Sequence, residues 1–352
     1  MVTLLLLLPF LKSHPFCHSN FDRNETVYDI NRKKLYRSEI IAIDTSVNMS
    51  DTARNYLNSF FEIVDSNSLR RDSINLAEIR RTIFDQFKNA QRIADCYPAI
   101  ILALKQINDH HSFFMPYDRV KAWKADSDIS FQFGTGRLLE NQIGYISIPT
   151  FVSGSPRIGQ LFADSLQHQI ESLDKSRVKG WIIDLRNNGG GNCWPMLAGI
   201  GPLLEEGICG YFARRNGLGP MWKYFNGVIY EGTRDMVRVG NPYYLKEKFA
   251  RLAVLTGPRT ASSGEVVVVS LIGRPNTKSF GEPTHGLSTG NQDFTLSDGS
   301  MLFLTTSVYS DRNNHKYGGK IVPDESVPFS DRAFPLDQDP VVKRAIEWLI
   351  KK

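Results

Sequence analysis

The sequence has few of the features that mark disulfide-rich, zinc-binding and membrane-spanning proteins. Its 352 residues include only four cysteines, at positions 17, 96, 193 and 209. None of them has the close Cys spacing of a zinc site, and four cysteines allow three disulfide pairings, so spacing does not choose one. We therefore expect buried free thiols. The longest apolar segment, residues 2–11, is too short to span a bilayer, which needs about 20 apolar residues.

Long runs of one charge are also missing. The 42 basic and 37 acidic residues give a net charge of +5, and the basic residues are scattered. This pattern predicts a solvated, mildly basic surface and no nucleic-acid partner. With 41% hydrophobic and 22% charged residues, the composition is that of a globular protein. The length predicts one large domain and a smaller one.

The apolar segment at residues 2–11 has the length of a signal-peptide core. It lacks a charged residue before it and a clear cleavage site after it. We expect a signal peptide within residues 1–18 and hence an exported protein, periplasmic, at the cell surface or extracellular. The alternative is an irregular N-terminal segment. No stable membrane span is expected.

Helical periodicity dominates from about residue 50 to residue 108. Apolar side chains recur at i, i+3, i+4 and i+7 from Leu57 to Val64, as in an amphipathic helix. Asp51 is the expected cap at its start. Further helices are predicted over residues 76–87 and 98–107. We expect a small helical domain over residues 40–125.

Strands and helices alternate over residues 126–352, which predicts an α/β domain. Strands are predicted at 129–133, 143–148, 178–185 and 251–256. Helices are predicted at 158–173, 194–204 and 340–351. A hairpin is predicted over 293–306, with Asp298 and Gly299 at its turn.

Residues 260–265 (TASSGE) lie between a buried strand and an apolar helical run. A hydroxyl at a strand-to-helix turn is exposed for nucleophilic attack, and the first amides of the helix favour negative charge there. Simple capping of the helix by Ser or Thr explains the same pattern. By position alone, capping is the favoured interpretation.

A second feature is the turn at residues 184–191 (DLRNNGGG), directly after a buried strand. Three glycines leave backbone N–H groups free to face an anion or an oxyanion. A flexible turn between a strand and a helix is an equal alternative. The glycine spacing does not match a phosphate-binding loop.

The third feature is the segment 109–114 (DHHSFF), which joins the two parts of the chain. A histidine has the proton affinity that a general base needs near neutral pH. Adjacent histidines are poor metal ligands on a helix, and no HExxH motif is present, so no metal is expected. The alternative is a histidine at a helix end with no catalytic role.

Together and in this order, these segments resemble the tail-specific (carboxyl-terminal processing) serine proteases. The resemblance covers residues 101–327 and has seven elements: His111 in DHHS, 144–151 (GYISIPTF), 184–191, 254–265, 281–284 (GEPT), 296–300 (LSDGS) and 322–324 (VPD). It implies a crotonase-like α/β spiral of ββα units, preceded here by a small helical domain. It also implies a peptidase that needs no cofactor.

Site residues follow from the same resemblance. Ser262 corresponds to the nucleophile, because Glu265 fixes the register of the family's motif. Ser263 and Gly190 correspond to the residues whose amides form the oxyanion hole. The lysine that serves as the base in most members is replaced by Leu287.

Without that lysine, the sequence resembles a branch of the family that uses a Ser–His pair. His111 is the favoured general base, and His285, two residues before Leu287, is the rival. Lys278 is a doubtful substitute for the lost lysine. The sequence identifies no third, orienting carboxylate; Glu282 and Asp324 are the candidates for that role.

The segment between His111 and Gly144 is too short for the PDZ domain that many members carry there. It spans 33 positions, whereas domains rarely fall below about 50 residues. Substrate selection is therefore expected from the helical domain and the cleft. We predict a serine endopeptidase acting on extended peptides or on C-terminal regions of unfolded proteins. The alternative is a non-catalytic peptide- or ligand-binding protein on the same fold.

Overall fold

The computed structural model describes residues 48–126, 132–328 and 334–351. The predicted signal peptide, Cys17 and most of the strand predicted at 129–133 lie outside these ranges. The described residues contain nine α-helices: α1 (Asp51–Asn67), α2 (Leu76–Gln86), α3 (Tyr97–Ile107), α4 (Tyr117–Lys124), α5 (Pro156–Asp174), α6 (Cys193–Gly199), α7 (Gly201–Leu204), α8 (Ser263–Leu271) and α9 (Pro340–Ile350).

The first helices form as the periodicity predicts. The apolar stripe of α1 is buried against α2, α3 and side chains of the hairpin predicted at 293–306. The cap of α1 was predicted one residue too late. Ser50 has an extended backbone, and its hydroxyl accepts the N–H of Ala53, so Asp51 is the first helical residue.

The first sheet has six strands, with the order β13-β10-β9-β4-β3-β2. Neighbouring strands in this sheet are parallel, except that β2 and β3 are antiparallel to each other. The strands are β2 (Thr135–Leu139), β3 (Ile143–Ser147), β4 (Gly180–Asp184), β9 (Leu252–Thr256), β10 (Thr277–Gly281) and β13 (Glu325–Ser326).

Both faces of this sheet are covered, which explains its uninterrupted apolar runs. Successive side chains of a strand point to opposite faces. Ile183 and Val254 pack with α5, α6 and α8, whereas Ile182 and Ala253 pack with α9. The sheet is therefore the centre of a three-layer α/β core.

The second sheet is antiparallel and has seven strands, in the order β1-β12-β5-β6-β7-β8 with β11 on the other edge of β12. The strands are β1 (Phe113–Met115), β5 (Gly207–Arg214), β6 (Gly217–Phe225), β7 (Val228–Glu231), β8 (Arg234–Arg238), β11 (Thr289–Thr295) and β12 (Met301–Asp311). The predicted turn at Asp298 and Gly299 is confirmed, between β11 and β12.

Two features of the fold differ from the sequence predictions. The strands β5–β8 were not predicted, although Asn226-Gly227 between β6 and β7 is a strong hairpin signal. Their φ angles of 46° and 75° are those that a two-residue hairpin turn requires. The helix predicted at 194–204 is interrupted at Ile200 and becomes α6 and α7, because Pro202 has no N–H to continue it.

The register of the first sheet decides which loops meet. Strands β4 and β9 are parallel neighbours, with Asp184 opposite Leu255. Their carboxyl ends therefore lie side by side, and so do the two loops that follow them. These loops are the glycine turn at 189–191 and the turn that leads into α8.

Candidate active site

Ser262 caps the N-terminus of α8 in a strained conformation. Its φ and ψ are 50° and −116°, which few residues other than glycine adopt. Strain of this kind persists where the surroundings enforce it, and it is concentrated at active sites. A serine at a strained strand-to-helix turn presents its hydroxyl as the nucleophile elbow of hydrolases does.

Glu265 enforces this turn from inside the protein. Its side chain is fully buried, and one carboxylate oxygen accepts the Ser262 N–H at 2.8 Å. The other accepts the Thr284 hydroxyl at 2.5 Å and the Gly286 N–H at 3.0 Å. The pKa of Glu265 is raised above its ordinary value, because the effect of burial is larger than the opposite effect of these hydrogen bonds. One carboxylate therefore ties the turn at Ser262 to the loop at 284–286.

Two glycines allow the glycine turn to approach Ser262. A Cβ on Gly190, whose φ is 103°, would lie 2.9 Å from the Cβ of Ser262. A Cβ on Gly264 would lie 2.6 Å from the carbonyl oxygen of Asn188. Real Cβ atoms do not come so close, so both positions need glycine for this packing.

The amides near Ser262 differ in their availability. Ser263 is the first residue of α8, so its N–H has no carbonyl one turn earlier to bind. The Gly190 N–H donates to Asn188 Oδ1 at 2.9 Å, and the Gly189 N–H donates to Thr150 Oγ1 at 2.8 Å. Gly190 can bind an oxyanion only if its N–H is shared with Asn188 or released from it.

His111 lies within hydrogen-bond distance of the serine. Its Nε2 is 2.8 Å from Ser262 Oγ, and its Nδ1 is 2.7 Å from Thr289 Oγ1. Burial lowers the pKa of His111 to about 4; Asp109 partly offsets this, and His285 adds to it. The imidazole is therefore neutral near pH 7, as a general base must be.

The turn that carries His111 is held by polar side chains. The Asp109 carboxylate accepts the N–H groups of His111 and Ser112, at 3.0 and 2.7 Å, and the Ser112 hydroxyl at 2.5 Å. The side-chain amide of Asn291 donates to the His111 carbonyl at 2.8 Å. Backbone and ring of His111 are thus both held by strand β11.

The other candidates from the sequence have different positions. His285 is exposed, and its N–H donates to the Thr260 carbonyl. Lys278 forms an ion pair with Glu325 at 2.9 Å. Asp324 accepts the N–H and the hydroxyl of Ser279, on strand β10. The Glu282 backbone pairs with Thr256.

The sequence reasoning missed Thr289 as a partner of His111. The two residues are 178 positions apart, and a threonine at the start of a strand has no signal that distinguishes it from any other. Glu265 served only to fix the motif's register, and its contacts with Thr284 and Gly286 were not foreseen.

Three of the four cysteines lie in the described part of the chain. Cys96, Cys193 and Cys209 are free and buried, as predicted. Burial raises the pKa of their thiols to about 11, 12 and 11. In the same ranges, no cluster of three His, Cys, Asp or Glu side chains has a metal-binding arrangement. None of the helices in these ranges is both long enough and apolar enough to cross a bilayer.

The sequence model of peptidase family S41 matches residues 142–327 of this chain. The chain belongs to peptidase family S41. This confirms the resemblance inferred from the motifs. The S41 peptidase therefore acts on peptides or proteins.

Two curated relatives show how far the similarity extends. The nisin-resistance protein of Lactococcus lactis subsp. lactis is 28% identical over 303 residues, covering 84% of this chain and 86% of the relative. The chloroplastic carboxyl-terminal-processing peptidase 2 of Arabidopsis thaliana is 28% identical over 202 residues. That match covers 56% of this chain and only 34% of the plant protein.

Solved structures support the fold. A lipoprotein from Streptococcus agalactiae superposes with a TM-score of 0.67 at 24% identity, covering 85% of this S41 peptidase and 96% of that chain. The photosystem II D1 C-terminal processing protease superposes with a TM-score of 0.54 at 16% identity, covering 84% and 97%. The predicted class, an α/β protease core after a helical region, is confirmed.

Proposed function

We propose that this S41 peptidase is a serine endopeptidase with Ser262 as nucleophile and His111 as general base. The observation that carries the proposal is the 2.8 Å distance between His111 Nε2 and Ser262 Oγ. This lies within the reach that proton transfer requires. The lowered pKa of His111 supports it, because a neutral imidazole can accept the proton.

The mechanism proceeds through an acyl-enzyme. His111 takes the proton of Ser262 Oγ as the oxygen attacks the scissile carbonyl. When the tetrahedral intermediate collapses, the C–N bond breaks and His111 gives its proton to the leaving amine. A water molecule, activated by the same histidine, then hydrolyses the ester to Ser262.

Amides of Ser263 and Gly190 bind the oxyanion in this proposal. Ser263 is supported by its place as the first residue of α8, where the N–H is available. Gly190 is supported by its close approach to Ser262, and its N–H must then be shared with Asn188 Oδ1. The steps use only groups of the chain, the substrate and water, so the proposal invokes no metal or organic cofactor.

We further propose export and an extended substrate. Residues 2–11 support an export signal, and the similar Streptococcus agalactiae protein is described as a lipoprotein. The proposed substrates are extended peptides or C-terminal regions of unfolded proteins. The Arabidopsis thaliana relative, which is named a carboxyl-terminal-processing peptidase, supports the C-terminal part of this proposal. In this division of the chain, residues 126–352 carry out proteolysis and residues 40–125 contribute to substrate selection.

Peptide profiling tests the proposed function directly. Purified protein lacking residues 1–18 and its Ser262→Ala variant are incubated with a diverse peptide mixture, and new termini are read by mass spectrometry. We expect cleavage by the parent and none by the variant. Equal cleavage by both would contradict Ser262 as nucleophile. If neither cleaves this mixture or unfolded proteins, peptide binding without catalysis becomes the better interpretation.

A further inference from the structure

The orientation of His111 depends on a hydroxyl group rather than on a carboxylate. An imidazole has two nitrogens, and both are engaged: Nε2 with Ser262 and Nδ1 with Thr289. If Nε2 is to accept the serine proton, Nδ1 must carry the ring proton. Thr289 Oγ1, at 2.7 Å, is the group placed to accept it.

Two acidic side chains near His111, Asp109 and Glu265, accept hydrogen bonds from groups other than the imidazole ring. The oxygens of Asp109 accept hydrogen bonds from His111 N–H, Ser112 N–H and the Ser112 hydroxyl, so Asp109 acts on the ring through its charge alone. Glu265 accepts the hydrogen bonds that hold the nucleophile turn.

Strand β11 is well suited to hold the ring still. Thr289 binds the ring of His111, and Asn291 binds its carbonyl. Between them, Gly290 packs tightly: a Cβ there would lie 2.4 Å from Ser307 Oγ and 2.8 Å from the Phe212 ring. The start of β11 is therefore pinned against β12 and β5, and the Thr289 hydroxyl has a fixed position.

We propose that Thr289 is the positioning residue of the catalytic histidine, accepting the Nδ1 proton so that the Nε2 lone pair faces Ser262. This inference rests on the proposed function. It completes the site as a Thr–His–Ser arrangement in which, among residues 48–126, 132–328 and 334–351, no carboxylate binds the imidazole.

One consequence is a base that stays neutral in mild acid. Among the residues that the structure describes, the charged and titratable groups around His111 are Asp109 on its own turn, His285 on the loop at 284–286, and Glu265 and Tyr309 beside Ser262. In the part of the chain that the structure describes, no carboxylate contacts Nδ1 to counter burial, which lowers the pKa of His111 to about 4. Activity should therefore persist as pH falls below 6.5 and decline only near pH 4.

The first test compares two substitutions at Thr289. Thr289→Val keeps the shape and removes the hydroxyl, and Thr289→Ser keeps the hydroxyl. We expect kcat to fall about 10- to 100-fold in the valine variant, with KM nearly unchanged. Serine should retain activity within about threefold of the parent. An equal fall in kcat in both variants, or no fall in kcat in Thr289→Val, would overturn the proposal.

The pH profile separates positioning from simple packing. Thr289→Asp places a carboxylate against Nδ1–H, which favours the imidazolium form. We expect the acidic limb of kcat/KM to move up by at least about one pH unit. An active, folded aspartate variant with an unmoved limb would contradict the proposal.

A readout without turnover keeps this proposal distinct from the proposed function. Ring ¹⁵N spectra of histidine-labelled protein report the tautomer of His111, assigned by comparison with His111→Gln. We expect a neutral Nδ1–H ring in the parent and a mixture of tautomers in Thr289→Val. If the Ser262→Ala experiment shows no serine-dependent cleavage, the proposed function fails, yet these spectra still decide the contact. An Nε2–H ring in the parent would overturn the inference.

Discussion

The two halves of the site are built in different ways. The serine half, Ser262 with the glycine turn, lies at the ends of neighbouring parallel strands and is held by one buried carboxylate. The histidine half lies in a turn before a three-residue strand and is held by the side chains of Asp109, Thr289 and Asn291.

This difference separates two requirements of catalysis. Ser262 has a strained backbone, so it depends on the rigid core and on close packing of glycines. A base must be aimed and must stay neutral, so it depends on hydrogen bonds to its ring and on burial. Substitutions in the serine half should therefore affect folding and activity together, whereas those in the histidine half should affect activity with little loss of stability.

The largest effect is expected from the two residues proposed to react, Ser262 and His111. His111→Ala should lower kcat/KM by about 10⁴-fold or more, as Ser262→Ala should, because the two act as a unit. His285→Ala should retain most of the activity, since that side chain is exposed. Steady-state kinetics on one cleaved peptide measures all three. A greater loss of kcat/KM in His285→Ala than in His111→Ala would make His285 the general base instead of His111.

Glu265→Gln tests the support of the serine half. A buried glutamine presents an NH₂ group to donors that the carboxylate now satisfies, leaving at least one unpaired. The free energy of unfolding should fall by about 1–3 kcal/mol. We also expect kcat/KM to fall about 10- to 100-fold, since Ser262 loses its enforced geometry. Urea unfolding and kinetics provide the measurements.

The control for Glu265→Gln is Thr284→Val. It removes one of the donors to the carboxylate and leaves the bond to the Ser262 N–H. It should destabilise the protein while retaining more activity. If the glutamine variant keeps full activity, the carboxylate does not enforce the turn.

Asp298→Asn should affect stability with little change in activity. The Asp298 carboxylate, in the hairpin turn, accepts the hydroxyls of Tyr56 and Tyr97 from the helical region. Although burial raises the pKa of Asp298, hydrogen bonds from Tyr97 and Ser300 lower it overall. Its contribution to stability is therefore present above the pKa of an unfolded aspartate, about 3.9, and is lost as pH falls below it.

For Asp298→Asn we expect a loss of about 1–2 kcal/mol at pH 7 and kcat/KM within about threefold of the parent. The hairpin turn lies at the opposite end of β11 from Thr289, which explains the small kinetic effect. Tyr97→Phe, which removes a single donor, is the matched control. A stability difference between parent and asparagine variant that does not shrink as pH falls below about 3.9 would contradict the assignment of Asp298.

The smallest expected difference is between the labelling rates of the buried thiols, measured in a Cys17→Ala variant. Cys96 lies among the first helices, whereas Cys193 and Cys209 lie in the apolar cluster to which both sheets contribute. In mild urea, Cys96 should be labelled about tenfold faster, equal to about 1.4 kcal/mol in free energy of opening. Pulse labelling and mass spectrometry give the rates. Equal rates for all three would mean that both regions open as one unit.

Much of the serine half was predictable because its signals are local. Buried runs predicted β3, β4 and β9, and the glycine turn and the TASSGE segment follow β4 and β9 directly. Parallel strands place their carboxyl ends together, so the two loops had to be neighbours once those strands paired. The strands β5–β8 were missed, although Asn226-Gly227 was a usable signal.

Only the tertiary structure decided the surroundings of the histidine. Its contact with Ser262 spans 151 positions and its contact with Thr289 spans 178, and no periodicity connects residues so far apart. The sequence alone determined the family motifs, the alternation of strands and helices, and the loss of the family's lysine at Leu287. Which histidine meets the serine, which hydroxyl meets that histidine, and how far burial lowers its pKa depend on packing between the two sheets, because distances and dielectric surroundings exist only in the folded chain.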